Sequence, residues 1–202
     1  MKIHFSPASP FVRKCLVAAH ELGVADRIER LPSAANPVQR DARIRENNPL
    51  GQVPTFFCDD GTVLYDSRVV CEYLDAQHGG TLFPATGPER WLRLTEQSLA
   101  DGMTGAALLV RYETMARPEA LRWQDWTEGQ LGKVHDGLAW LEKAAPGFGE
   151  RVDIGTIAFG CALGYLDFRF PQFDWRSEAP AAARWFAAFN ARPSMQATLP
   201  KA

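Results

Sequence analysis

Asn48-Pro49-Leu50-Gly51-Gln52-Val53-Pro54-Thr55-Phe56, followed by Tyr65-Asp66-Ser67, is the stretch on which the reading of this chain turns. Pro49 and Gly51 punctuate a turn, and the run from Val53 to Phe57 has the β-branched and aromatic content of a buried strand. Asp60-Gly61 is a hairpin signal, so Thr62 to Tyr65 reads as the strand that returns. Pro54 cannot donate to a ladder; it belongs at a strand edge, at a strand start or in a cis turn. A cis bond there would leave the neighbouring main chain facing something other than a strand. Asp66-Ser67 stands directly before Val69, Val70, Tyr73 and Leu74 at helical spacing, which makes it an N-cap pair. The helix end it caps offers free N–H groups to an anion.

Upstream of this stretch, Lys2-Ile3-His4-Phe5 alternates as a half-buried strand should, and Ser6-Pro7-Ala8-Ser9-Pro10 breaks it. Ser9 suits an N-cap and Pro10 the first helical turn. Phe11, Val12, Cys15, Leu16, Ala19 and Leu22 supply the apolar stripe, and Gly23 ends the helix. Arg13 and Lys14 read as solvated charges on that helix. Ile28 to Leu31 is a second strand, and the charged Asn36 to Asn47 segment is either a solvated helix or a loop bordering the site.

Downstream, Gly79-Gly80 closes the first unit, Thr81 to Pro88 reads as a linker, and strand signals stop. A long helix carries Trp91, Leu94 and Leu99 towards Arg117, with Gly102 and Gly105 as its weak points. Leu131, Val134, Leu138 and Leu141 predict a helix from about Glu119 to Ala144, stopped by Pro146-Gly147. The segment from Ile154 to Leu166 is apolar on a broad face and carries Gly155, Gly160 and Gly164, which would let neighbouring backbones approach. Asp153 is its N-cap with Thr156 three residues on. A last helix spans about Ala181 to Ala191.

The chain has 202 residues, a net charge of −2 and a sequence pI near 6.1, so it lacks the basic footprint of a nucleic-acid binder. Its four cysteines, Cys15, Cys58, Cys71 and Cys161, sit in apolar surroundings with neither Cys-x-x-Cys nor metal-ligand spacing, which predicts reduced structural thiols and no metal. With no signal peptide and no apolar run of membrane-spanning length, a soluble cytoplasmic protein is expected, with no membrane partner.

The quoted stretch, with Ser6-Pro7-Ala8-Ser9-Pro10-Phe11-Val12-Arg13-Lys14, resembles the glutathione S-transferase superfamily, closest to bacterial members with a serine-type first motif. The resemblance is strong over the first third and looser beyond. It implies an α/β plus all-α fold: a thioredoxin-like glutathione-binding domain over 1–80 and an all-helical domain over 86–202 that contributes the electrophile pocket. The implied function is a glutathione transferase of detoxification type, with glutathione as co-substrate and an electrophilic small molecule as partner. It also implies a homodimer, in which Asp101 is a candidate for a cross-subunit role.

Carried over residue by residue, Ser9 would donate a hydrogen bond to the glutathione sulfur, with Ser6 the alternative. The Val53 main chain, aligned by Pro54, would pair with the cysteinyl part of the tripeptide. Gln52 would reach the glycine carboxylate, and Asp66 and Ser67 the γ-glutamyl end. Many relatives carry Glu where Asp66 stands. The superfamily also places Ser or Thr before Asp in the capping box at Asp153 and Thr156; the exchange keeps a cap without by itself preserving the reciprocal pairing. Tyr112 is a candidate wall of the electrophile pocket. The same thiolate would serve an isomerase, a reductase or an ether-cleaving enzyme, although Ser rather than Cys at position 9 argues against disulfide exchange. A non-catalytic binding or regulatory module is the rival from another class.

Overall fold

A computed structural model describes residues 1–201. Strand β1 (Lys2–Phe5) leads into helix α1 (Pro10–Glu21), and β2 (Glu29–Pro32) returns parallel to β1. After a four-residue helix α2 (Ala42–Arg45), the short strands β3 (Phe56–Phe57) and β4 (Val63–Leu64) complete a sheet of order β2-β1-β3-β4. β3 lies antiparallel to both β1 and β4. Helix α3 (Ser67–Gln77) closes this thioredoxin-like half. The run expected to be strand from Val53 is strand only at Phe56 and Phe57, because the residues before them form a turn.

The second half is helical: α4 (Gly87–Met115), α5 (Gln124–Ala144), α6 (Ile154–Arg169), α7 (Trp175–Glu178), α8 (Pro180–Asn190) and α9 (Pro193–Ala197). α5 starts at Gln124 rather than near Glu119: Glu119–Leu121 is a separate 3-10 turn, and the main chain at Arg122 and Trp123 is extended. α4 packs on α5 and α6, while α1 is covered by α3 on one side and by α6 on another. The buried Asp75 carboxylate ties the halves together by accepting the Leu82 and Phe83 N–H groups at 2.7 and 3.2 Å.

That sandwiching of α1 corrects the reading of Arg13 and Lys14 as solvated. Both are buried, at 5% and 1% exposure, because α1 presents one face to its own domain and another to the helical domain. Lys14 Nζ donates to both oxygens of Asp101 on α4 at 2.7 and 2.8 Å, and Arg68 Nε on α3 donates to the same carboxylate at 2.9 Å. Asp101 is therefore engaged by two cations of its own chain. Arg13 Nη2 donates to the Met195 carbonyl at 3.2 Å.

The glycines of α6 also act differently from expectation. A Cβ at Gly155 would overlap Glu96, one at Gly160 would press on the Phe189 ring, and one at Gly164 would overlap the Arg13 guanidinium. They make room for large side chains rather than for neighbouring backbones. The capping box at the head of α6 is reciprocal despite the exchanged residue types. Asp153 Oδ1 accepts the Thr156 N–H at 3.0 Å, and Thr156 Oγ1 accepts the Asp153 N–H at 3.0 Å.

Candidate functional site

The site begins where β1 hands over to α1. Ser9 has extended backbone geometry and its Oγ accepts the Val12 N–H at 3.3 Å, so it is the N-cap, with Pro10 in the first turn as its fixed φ favours. A hydroxyl that accepts through a lone pair keeps its O–H free to donate. Capping and donation to a ligand are thus compatible in one side chain, and the partial positive charge of the α1 N-terminus lies beside it.

Lining the same cavity wall as Ser9 is the turn from Asn48 to Thr55, through Leu50, Gly51, Gln52 and Val53. Gly51 has φ +64°, a left-handed conformation, and an added Cβ would crowd Arg40 and Arg45. Asn48, 1% exposed, donates from Nδ2 to the Gln52 carbonyl at 3.2 Å and to Thr55 Oγ1 at 2.9 Å, and its Oδ1 accepts the Leu50 N–H at 3.0 Å. Thr55 Oγ1 in turn donates to the Gln52 carbonyl at 2.8 Å. The Val53–Pro54 peptide is cis, and the Val53 N–H and C=O have no protein hydrogen-bond partner among the described residues. That main chain, held from behind by buried side chains, is available to pair with an extended peptide ligand.

At the head of α3, Asp66 is the N-cap and Oδ1 accepts the Arg68 N–H at 2.9 Å, so one carboxylate oxygen serves the fold. The Tyr65–Asp66 peptide is cis. Ser67 is buried at 2% exposure, and its carbonyl accepts the Cys15 thiol at 3.9 Å. All four cysteines are free and buried, and burial pushes the Cys15 and Cys161 thiols up, the latter to about 11, leaving both as inert thiols at neutral pH.

A cavity of about 550 Å³ opens between the two halves. One wall carries Ser6, Ser9, Phe11, Gln52 and Val53; the other carries Leu108, Arg111, Tyr112 and Met115 from α4 with Tyr165 and Arg169 from α6. Pro54, Asp66 and Ser67 lie outside that wall. Burial raises the Tyr112 hydroxyl and pushes Tyr165 up to about 12, so both phenols are neutral donors at physiological pH. The sequence reading found Ser9, Gln52, Val53 and Tyr112 but missed Arg40, Asn48, Arg111, Tyr165 and Arg169. Asn48 stood within the quoted motif. The arginines carried no local signal, since each sits on a helix or loop like any solvated charge.

Residues 8–77 match the family model described as Glutathione S-transferase, N-terminal domain, and residues 124–188 that described as Glutathione S-transferase, C-terminal domain. The crystal structure of a glutathione transferase family member from Pseudomonas fluorescens Pf-5 with bound glutathione is 45% identical and superimposes with a TM-score of 0.97, covering 100% of this chain and 99% of that one. A further structure from that organism, with bound S-(propanoic acid)-glutathione, gives 44% identity and a TM-score of 0.92 with complete cover of both chains. The uncharacterized GST-like protein YibF of Escherichia coli K12 is 31% identical over 99% of this chain and 98% of its own length.

Proposed function

We propose that this chain, which belongs to the glutathione S-transferase superfamily, binds glutathione between its two halves and activates the thiol for attack on an electrophilic small molecule. One observation carries the reading: the capping hydroxyl of Ser9 and the unpartnered main chain of Val53 share one wall of a cavity whose other wall combines apolar side chains, two phenols and two arginines. The thioredoxin-like domain, 1–80, holds the tripeptide, and the helical domain, 86–202, supplies the electrophile's surroundings. In the Pseudomonas relative, glutathione and an S-substituted glutathione are both bound, which supports a tripeptide site with room beyond the sulfur.

A free thiol titrates near ~8.5 and is a poor nucleophile while protonated. A hydrogen bond to a charged acceptor is worth about 1.5–3 kcal/mol, enough to lower that pKa by roughly one to two units, and the α1 N-terminus acts in the same direction. Ser9 Oγ donates to the thiolate while still accepting from Val12; Ser6, on the same wall, is the alternative donor. Val53 pairs with the cysteinyl peptide next to Pro54, Gln52 lies towards the glycine carboxylate, and Asp66 and Ser67 at the α3 N-terminus receive the γ-glutamyl end. The protein is read as a cytoplasmic homodimer acting in detoxification. The exposed Val69, Trp91 and Leu92 on α3 and α4 support self-association, which sedimentation at micromolar concentration tests.

Calorimetric titration with glutathione followed by turnover with a generic aromatic electrophile tests the function. Saturable binding with conjugate formation above the uncatalysed rate is expected. Absence of binding would sink the reading, and binding without turnover would leave a glutathione-binding module.

A further inference from the structure

Three charged side chains line the cavity, and all three are arginines: Arg40, Arg111 and Arg169. Among the described residues no Asp, Glu or Lys shares the wall, in a chain whose net charge is −2. Most arginines elsewhere on the helical domain are matched by carboxylates, as Arg93 is by Glu89, Arg117 by Glu113, Arg176 by Asp167 and Arg192 by Glu21; Arg122 instead donates to the Arg117 and Thr114 carbonyls, and Arg184 lies away from the cavity lining. Arg111 and Arg169 are half-buried and have no carboxylate partner among the described residues. Arg40 belongs to the opposite wall, where it donates to the Pro49 carbonyl at 2.5 Å.

Ordinary roles cover only part of this. Arg169 is the last residue of α6, where a cation suits the helix dipole, and its guanidinium lies 4.1 Å from the Phe168 ring centroid. Arg111 has no comparable role; it lines the same wall as Tyr165 and Arg169, and both guanidiniums draw the Tyr165 phenol down against the larger effect of burial. Because that phenol stays neutral, the wall contains no anion of its own among the described residues. Leu108 and Met115 beside them lower the local polarity, which strengthens any attraction to an incoming negative charge.

We propose that Arg111 and Arg169 are the receptor for the carboxylate of the second substrate, and that this substrate is a small α,β-unsaturated carboxylic acid. The proposal rests on the glutathione reading above and names the substrate class of the same site. A guanidinium matches a carboxylate in shape as well as charge. Conjugate addition also uses the pair better than displacement would. As the thiolate electron pair forms the S–Cβ bond, the π pair of the C=C bond moves towards Cα and the carboxylate, whose negative charge grows in the transition state. Cα then takes a proton from water, so a thiol has added across a double bond with no leaving group and no oxidant. In a displacement, charge would develop on the leaving group instead, and the arginines would bind ground state and transition state nearly alike.

The test compares binding of glutathione, S-(2-carboxyethyl)glutathione and its isosteric amide S-(2-carbamoylethyl)glutathione to the whole protein by calorimetry. The acid conjugate is expected to bind about tenfold or more tightly than the amide, the scale of one charge-assisted hydrogen-bonded contact. In R111Q/R169Q that ratio should fall to near one, and acrylate addition should slow relative to acrylamide addition. Equal affinity of acid and amide in the unmodified protein overturns the proposal, as does a ratio that survives the double substitution while glutathione still binds. Failure of glutathione itself to bind removes the parent reading, whereas glutathione binding without acid preference removes this inference alone.

Discussion

The two walls of the cavity are built by different means. The Ser9–Val53 wall owes its polar groups at Ser9 and Val53 to main chain and a short side chain fixed by local structure: a helix cap, a left-handed glycine at Gly51, and the buried Asn48–Thr55 hydrogen bonds. The Arg111–Arg169 wall consists of long side chains from α4 and α6 that meet only because those helices pack together. A locally encoded wall suits an invariant ligand such as a tripeptide backbone, because its donors and acceptors sit on the chain itself. A wall of side chains can change its chemistry by substitution without disturbing a turn, and suits the variable partner.

The joint between the walls is the place to break this comparison hardest. Asp101→Asn leaves the Lys14 ammonium buried at 1% exposure without its counter-charge, and should cost roughly 3–5 kcal/mol in urea unfolding. Lys14→Met/Asp101→Leu should recover most of that loss, since two apolar groups need no partner. A single variant as stable as the parent would mean that the pair does not hold the halves together.

Removing the support of the local wall comes next. Asn48→Ala strips the Gln52 carbonyl, Thr55 Oγ1 and the Leu50 N–H of a shared buried partner, with an expected loss of about 2–3 kcal/mol. Glutathione affinity should fall while the acid-to-amide ratio of the conjugates stays as it was. A fall in that ratio would show that the walls are not independent.

Ser9→Ala acts on chemistry more than on stability. Loss of the N-cap should cost about 1 kcal/mol. The bound thiol's pKa should rise, and turnover at neutral pH should drop on the order of ten- to a hundredfold, recovering in part at alkaline pH. Thiolate absorbance followed against pH in Ser9→Ala and Ser6→Ala decides between them: an unchanged pKa in the first with a raised one in the second would move the role to Ser6.

The smallest effect lies behind α1. Glu21 accepts from Arg192 Nε and Nη2 at 2.9 and 2.8 Å, and these bonds hold its carboxyl below the ordinary carboxylate value of 4.5. A depressed folded-state pKa contributes stability that is present above about pH 4.5 and lost as pH falls through the folded value. Glu21→Gln should therefore cost about 1 kcal/mol at pH 7 and little at strongly acidic pH, read from melting curves at the two extremes. An equal cost at both would show that packing rather than charge is lost.

Much of the fold was legible because its signals are short-range. Ser9-Pro10, Asp60-Gly61, Asp66-Ser67 and Asp153 each fix a turn or a helix start within a few residues: α1, α3 and α6 begin where those residues place them, and β4 follows the Asp60-Gly61 turn. Two differences, at Arg13-Lys14 and at the α6 glycines, share one cause. One apolar stripe on α1 implies one buried face and leaves Arg13 and Lys14 to solvent; nothing local reveals that α6 covers a second face. The glycines of α6 suggest backbone contact from sequence alone, because the sequence does not show which side chains will fill the space they leave.

By itself, then, the sequence determined the order of elements, the caps that start the helices and the main-chain turn on one side of the cavity, since each depends on φ and ψ preferences and on hydrogen bonds spanning a few residues. Only the tertiary structure decided that Lys14, Arg68 and Asp101 meet, and that Arg111, Tyr165 and Arg169 face Ser9 across one space. The reason is that a charge on a helix is favourable in water whatever the rest of the chain does, and becomes a buried clamp or an anion receptor only when a distant helix removes the water around it.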